Sequence, residues 1–291
     1  MAWLIIGGTG QLGKALSVVL SERKIEFIGW GSKDLDIRSS NKTFELIHEV
    51  NPSIIINTAA WTDVDGAESD VDKAHAVNVE GTRNLVLAAK TVGAVFVQIS
   101  TDYVFSGVGS IPWNELDVRK PTSVYGKTKS GGEDEVLSNY SESSYVFRTA
   151  WLYSQWGKNF AKTITELALE NSNKVRIIND QVGQPTFVID LANQIVDSVV
   201  EKLPFGIYHS TNSNKASWFE FAQEIFRLAD ADVSRVIPVS TSELPRPAKR
   251  PAYSVLGHNA WASTTIPVMR DWRIALEEAM PAIISAVKAG R

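Results

Sequence analysis

The chain has 291 residues, a formal net charge of −4, a sequence pI of about 5.7 and no cysteine. Without a basic excess the composition does not favour binding to nucleic acid or to a membrane, and without cysteine it excludes disulfide and thiolate chemistry. The four histidines are widely spread and no apolar run is long enough to span a bilayer, so we expect a cytoplasmic protein without a metal site.

Short apolar runs alternate with helical patterns through the first half of the chain. The runs predict buried strands over residues 3–6, 27–30, 54–56, 95–99 and 145–147. Amphipathic spacing predicts helices over residues 11–20, 41–50 and 72–89, with Ser40 as the N-cap of the second. Apolar strands separated by helices are typical of a parallel sheet covered on both faces. We therefore predict an α/β chain built on a Rossmann-type doubly wound sheet.

The second half has a looser pattern, with predicted helices over residues 159–170, 191–201, 217–229 and 271–288. Residues 238–251 carry four prolines, which predicts an extended surface loop. We expect a cofactor domain of residues 1–150 plus about 187–203. Residues 151–186 plus about 204–291 would form a smaller, interleaved α/β substrate domain.

A glycine-rich segment follows the first predicted strand and begins the first predicted helix. Gly7, Gly10 and Gly13 have the spacing of a dinucleotide-binding loop, and Gly8 with the last two satisfies G-x-G-x-x-G. Glycine permits a tight turn and a close approach of phosphate to the backbone, and the helix N-terminus adds free N–H groups. This context favours dinucleotide binding over a simple turn.

The end of the second predicted strand bears on the choice of dinucleotide. After Trp30 the chain has no acid to bind a ribose 2′-hydroxyl, whereas Ser32 and Lys33 suit a 2′-phosphate, so NADP is favoured over NAD. Alternatively, Lys33 is a solvated loop cation. Asp36 could accept a hydrogen bond from the adenine amino group, and Ile37 could form an apolar wall beside the ring. Alternatively, Asp36 caps the next helix.

Small residues after the third predicted strand leave room for a cofactor. Ala59 and Ala60 would let it lie close to the strand end, although alanine is common everywhere.

Tyr125 and Lys129 are the sharpest chemical signal in the chain. Four residues apart on a helix, they share one face. A nearby ammonium lowers the pKa of a phenol, so such a pair can move a proton to or from a carbonyl oxygen. Upstream, Thr101 follows the fourth predicted strand, where a hydroxyl faces the binding crevice of a parallel sheet. The glycine loop, this hydroxyl and the Tyr–Lys pair together indicate reduction of a ketone by a nicotinamide cofactor.

These segments resemble the dTDP-4-dehydrorhamnose reductase family of the extended short-chain dehydrogenases, nearly from end to end. The resemblance is carried by the glycine loop and by residues 60–65, 67–68, 100–105, 124–129, 148–153, 159–160, 179–181, 183, 185–186 and 250–251. It implies an NADPH-dependent reductase, with NADH possible, acting on a dTDP-sugar. It also implies a monomer or a homodimer.

The resemblance assigns roles to the matching positions. The implied catalytic residues are Thr101, Tyr125 and Lys129. The implied cofactor contacts are Gly7, Gly10, Gln11, Leu12, Gly13, Trp30, Ser32, Lys33, Asp36, Ile37, Ala59, Ala60, Trp61, Thr62, Ser100, Tyr125 and Lys129. The implied substrate contacts are Val64, Thr101, Asp102, Tyr103, Trp151 and Arg250. Judged from residue type, Trp151 equally suits a core position and Arg250 a solvated one.

Some family members form a dimer bridged by Mg²⁺ through acidic residues. Here Lys14 and Ala15 follow the glycine loop, and Ile189 precedes Asp190, so we predict no metal.

Two other functions stay open. One is a nucleotide-sugar epimerase or dehydratase, because Asp102 places a carboxylate beside Thr101. The other is a non-catalytic, NADP-binding regulatory subunit.

Overall fold

A computed structural model describes residues 2–170 and 173–290. The strands, in chain order, are β1 (Trp3–Ile6), β2 (Phe27–Trp30), β3 (Ile54–Asn57), β4 (Val95–Thr101), β5 (Ser144–Thr149), β6 (Leu152–Tyr153), β7 (Val175–Ile178), β8 (Val182–Gly183), β9 (Thr186–Phe187), β10 (Gly206–His209), β11 (Ala216–Ser217) and β12 (Val236–Val239). The α-helices are α1 (Gln11–Glu22), α2 (Ser40–Val50), α3 (Val64–Ser69), α4 (Val71–His75), α5 (Gly81–Val92), α6 (Val124–Tyr140), α7 (Phe160–Glu170), α8 (Val188–Val200), α9 (Trp218–Leu228) and α10 (Trp272–Ala289).

Six strands form one parallel sheet in the order β2-β1-β3-β4-β5-β10. The central strands are apolar on both faces because alternate side chains enter different cores. Trp3 and Ile5 join the core under α1 and α8, whereas Leu4 and Ile6 join the core under α2, α5 and α6. The predicted doubly wound sheet is therefore confirmed.

A third core lies beyond the sheet, where α7, α9 and α10 pack around aromatic side chains. Phe221 and Trp272 are fully buried there, with ring centroids 5.7 Å apart in an edge-on contact. Helix α8 returns to the main sheet, and its Leu191 belongs to the core that also holds α1. The proposed division of the chain into two interleaved domains stays a prediction. Across residues 2–170 and 173–290, no helix combines the length and apolarity that a membrane crossing requires.

Four local predictions differ from the structure. Helix α2 begins at Ser40 itself, and Ser39 holds the cap position without a side-chain cap bond. The helix predicted over 72–89 is divided, because a π-helical turn over Ala76–Glu80 separates α4 from α5. Helix α8 starts three residues earlier than predicted, at Val188. The segment 238–251 is extended only in part, since Pro238 lies within β12 and a 3₁₀ turn covers Thr241–Glu243.

Candidate active site

A cavity of about 890 Å³ opens along the carboxyl edge of the main sheet, where ligands bind in open parallel sheets. The predicted residues that line it are Gly7, Gly10, Gln11, Leu12, Ser32, Asp36, Ile37, Ala59, Ala60, Trp61, Thr62, Val64, Ser100, Thr101, Asp102, Tyr103, Tyr125, Lys129 and Trp151. Four other predicted residues, all within the described part of the chain, lie outside the lining: Gly13, Trp30, Lys33 and Arg250.

The glycine loop fits tightly between β1, β3 and α1. Gly7 has φ +83°, and a Cβ there would stand 2.6 Å from the Thr58 hydroxyl oxygen. A Cβ on Gly13 would stand 2.3 Å from the Gly7 carbonyl oxygen, so Gly13 serves helix packing and not the cavity surface. Helix α1 starts after Gly10 without a side-chain cap, which leaves its first N–H groups for a ligand.

The turn after β2 presents a cation that the sequence did not single out. Arg38 lines the cavity, and its guanidinium forms a two-pronged ion pair with Asp36, whose pKa it lowers. Lys33 is exposed and is not among the residues that line the cavity. Trp30 acts through its backbone, since its carbonyl accepts from the N–H groups of Gly7 and Gly8, each at 2.8 Å. Asp36 is therefore an ion-pair partner and not a helix cap.

The loop after β3 is held by the π-helical turn. The Asn78 side chain accepts from the Trp61 N–H at 2.9 Å and donates to the Trp61 carbonyl at 3.1 Å. The same amide donates to the Thr128 hydroxyl on α6 at 3.0 Å. Asn78 is almost fully buried, so the turn gives this amide a fixed orientation. It thereby links the predicted cofactor loop to the helix that carries Tyr125.

The end of β4 holds a pair of buried oxygen groups. The Thr101 hydroxyl donates to the Asp102 carboxylate at 2.9 Å and accepts from the Tyr103 N–H at 3.2 Å. The other carboxylate oxygen of Asp102 has no hydrogen-bond partner among the described residues. Burial raises the pKa of Asp102 to about 6, against the opposing effect of the nearby Ser254 and Thr101 hydroxyls.

Helix α6 brings Tyr125 and Lys129 to the same edge. Ser123 caps this helix by accepting from the Gly126 N–H at 3.1 Å. A Cβ on Gly126 would stand 2.3 Å from the Tyr103 carbonyl oxygen, so glycine allows α6 to approach the end of β4. The Lys129 ammonium donates to the Ile99 carbonyl at 2.6 Å. Tyrosine and lysine thus face the cavity from successive turns.

The protonation of this pair differs from the sequence-based expectation. Burial raises the pKa of Tyr125 to about 12, and the Thr101 hydroxyl opposes the shift. Burial also lowers the pKa of Lys129 to about 8, against the Glu133 carboxylate, which raises it. The phenol pKa is therefore raised and not lowered as expected, because burial and the Asp102 carboxylate both act to raise it. Tyr125 is a protonated phenol at neutral pH.

Aromatic rings form the far wall of the cavity. Trp151 has φ +46° and stacks on Trp218, with ring centroids 3.5 Å apart and planes at 9°. A Cβ on Gly183 would stand 2.6 Å from the Trp151 ring, so glycine makes room for this orientation. Arg250 is not among the lining residues, and its guanidinium donates to the Asp65 carboxylate at 2.8 Å.

Sequence reasoning missed several lining or supporting residues, namely Arg38, Asn78, Lys158, Phe160 and Trp218. The sequence places Arg38 in the turn after β2, but its spacing does not show that this cation, and not Lys33, faces the cavity. Asn78 had a readable signal, as a polar residue between Val77 and Val79 in a predicted helix. The remaining three come from the second half of the chain, which only the tertiary fold brings to this edge.

Comparisons with known proteins identify the family of this chain. The family model described as RmlD substrate binding domain matches residues 1–284. A dTDP-4-dehydrorhamnose reductase from Streptomyces griseus is 41% identical, over 99% of this chain and 95% of that protein. A dTDP-4-dehydrorhamnose reductase structure from Clostridium acetobutylicum has 42% identity and a TM-score of 0.93, covering 97% of this chain and 99% of that one. Another, from Bacillus anthracis in complex with NADP, has 37% identity and a TM-score of 0.92 at the same coverages. The chain belongs to the dTDP-4-dehydrorhamnose reductase family.

Proposed function

We propose that this chain reduces the 4-keto group of dTDP-4-dehydro-L-rhamnose to dTDP-L-rhamnose, with NADPH as the hydride source and Tyr125 as the proton donor. The observation that carries the proposal is one cavity lined by the glycine loop, Thr101, Tyr125 and Lys129. The names of the relatives supply the substrate, because residue chemistry alone does not identify a sugar or a base.

The cofactor half of the cavity fits a dinucleotide. Gly7 and Gly10 offer backbone without side chains, and the uncapped start of α1 suits a diphosphate. The Bacillus anthracis relative is in complex with NADP, which supports the same class of cofactor here. When bound, NADPH would supply the hydride for the carbonyl carbon.

Side chains of the protein would orient the ketone oxygen and protonate it. The Tyr125 phenol is protonated at neutral pH and would give its proton to the developing alkoxide. The Thr101 hydroxyl, which donates to Asp102 and accepts from the Tyr103 N–H, would turn its hydrogen to the ketone oxygen and keep that oxygen next to the phenol. Lys129 would hold ribose hydroxyls from its position on α6. The stacked rings of Trp151 and Trp218 would form one wall of the sugar site.

The test is NADPH oxidation with enzymatically generated dTDP-4-dehydro-L-rhamnose. We expect substrate-dependent oxidation of one equivalent of NADPH per product. Binding of NADPH without oxidation would contradict the proposal and favour the non-catalytic alternative.

The buried Asp102 carboxyl favours a second candidate, an epimerase or dehydratase. Its pKa is about 6, and one of its oxygens has no hydrogen-bond partner among the described residues. Both features suit acid chemistry beside the substrate. Such an enzyme regenerates its cofactor, so product would form without net consumption of NADPH. The stoichiometry of the same assay therefore separates the two reactions.

We predict that Arg38, and not Lys33, sets the preference for NADPH over NADH. Arg38→Ala should lower the ratio of kcat/KM for NADPH to kcat/KM for NADH by about tenfold or more, as expected for loss of a charge-assisted hydrogen bond to a 2′-phosphate. The measurement is the two kcat/KM values for each enzyme. Lys33→Ala also removes one positive charge, but from a residue that does not line the cavity. This variant should keep the ratio within about twofold of the wild-type value. A larger change in the Lys33 variant would restore the sequence-based assignment.

A further inference from the structure

A loop from the second half of the chain is fastened to the first residue of α1. The Gln11 side-chain carbonyl accepts from the Ser154 hydroxyl at 2.9 Å and from the Asn159 amide at 3.0 Å. Ser154 is fully buried and Asn159 nearly so. Gly157, at φ +62°, turns the loop so closely that a Cβ would stand 3.2 Å from the Gln11 side chain. Residues 154–159 therefore have a fixed position over the glycine loop.

Lys158 is the cation that this loop carries to the cavity. It lines the cavity together with Gly10 and Gln11, and its side chain is exposed. Within residues 2–170 and 173–290 it has no ion pair with an acidic side chain. The two acids of the lining are otherwise engaged, since Asp36 pairs with Arg38 and Asp102 is buried beside Thr101. The ammonium is thus available to an anion at the start of α1.

We propose that Lys158 binds the diphosphate of the dinucleotide, as a cationic partner from the second half of the chain. This inference rests on the proposed function, because it assumes a dinucleotide on the glycine loop. A nucleotide-sugar substrate also contains a diphosphate. We assign Lys158 to the cofactor because Gln11, within the glycine loop, is the residue that anchors its loop. A dinucleotide held in this way would contact both the glycine loop in the first half of the chain and Lys158 in the second half.

The experiment compares Lys158→Ala with Lys14→Ala by calorimetric titration. Lys14 is an exposed lysine on α1, three residues after Gln11, and it does not line the cavity, so its variant matches the charge change close to the same loop. The probes are NADPH, 2′-AMP, which has the adenine, ribose and 2′-phosphate but no diphosphate, and dTDP. Wild-type binding and turnover of NADPH test the proposed function separately.

We expect Lys158→Ala to raise the Kd for NADPH roughly tenfold, because it removes a charge-assisted contact. The Kd values for 2′-AMP and dTDP should stay within about twofold of wild type, and Lys158→Arg should bind NADPH nearly as well as wild type. Lys14→Ala should leave all three affinities unchanged. An unchanged Kd for NADPH in Lys158→Ala would overturn the proposal if wild type binds NADPH. Two other results for Lys158→Ala would also overturn it. If only the affinity for dTDP fell, Lys158 would belong to the substrate site, and if the affinity for 2′-AMP fell as much as that for NADPH, the diphosphate would not be its target.

Discussion

Replacing Tyr125 with phenylalanine should lower kcat by about 10²–10⁴-fold, the usual contribution of a positioned acid. The phenol pKa of about 12 keeps the proton on Tyr125 at neutral pH, and phenylalanine has no proton to give. The ring itself would stay in its edge-on contact with Tyr103, at a centroid distance of 5.5 Å. The NADPH Kd should therefore stay within about twofold of wild type. Steady-state turnover and NADPH titration of the variant measure the two quantities.

Tyr103→Phe is the matched control for this prediction. It removes the same hydroxyl from the neighbouring ring, which also lines the cavity but lies on the 3₁₀ turn after β4. Because we assign Tyr103 to substrate binding, its variant should change KM more than kcat. A larger loss of kcat in Tyr103→Phe than in Tyr125→Phe would show that the proton donor has been assigned to the wrong ring.

The main sheet could be predicted because its strands are buried on both faces. Five of its six strands contain a short, largely apolar run, and the alternation of these runs with helices indicated the parallel order. Strand β10 was missed, because Gly206 and His209 interrupt the apolar pattern of its four residues. The two-residue pairings of β6 with β9 and of β8 with β11 are products of the tertiary fold, and so short a segment has no periodicity to detect.

The candidate site could be predicted where a residue follows a strand or shares a helix face. Thr101 meets the first condition, Tyr125 and Lys129 meet the second, and all three line the cavity. Lys33 and Arg38 show the limit, because both are cations in the turn after β2. Which of the two faces the cavity depends on the path of that turn and on the pairing of Arg38 with Asp36. The spacing of residues in the sequence predicts neither the path nor the pairing.

A buried ion pair supports helix α6 away from the cavity lining. Glu133 lies one turn beyond Lys129 on α6 and is fully buried, and its two oxygens accept from the Arg148 guanidinium at 2.9 and 2.7 Å. The Ser100 hydroxyl, at the cavity edge of β4, also donates to this carboxylate. Glu133 therefore joins the helix that carries Tyr125 to both β4 and β5.

Glu133→Ala should lower the free energy of unfolding by about 3–5 kcal/mol, because it leaves the buried Arg148 charge without its carboxylate. At about 2–4 °C per kcal/mol, the Tm should fall by roughly 6–20 °C. Thermal unfolding followed by circular dichroism measures the change. Asp134→Ala is the control on the next residue of α6. Its carboxylate pairs with Arg119 while 61% exposed, and exposed pairs contribute about 0–1 kcal/mol.

The double variant Glu133→Leu with Arg148→Met tests the cause of this loss. Replacing both charges with apolar side chains of similar volume removes the unpaired charge, so much of the stability lost in Glu133→Ala should return. If the double variant is as unstable as the single one, the remaining contacts would be the source of the stabilisation, namely those of Glu133 with Ser100 and Arg119 and of Arg148 with the Glu115 carbonyl. A Glu133→Ala protein as stable as Asp134→Ala would contradict the prediction altogether, because a buried guanidinium would then tolerate the loss of its partner.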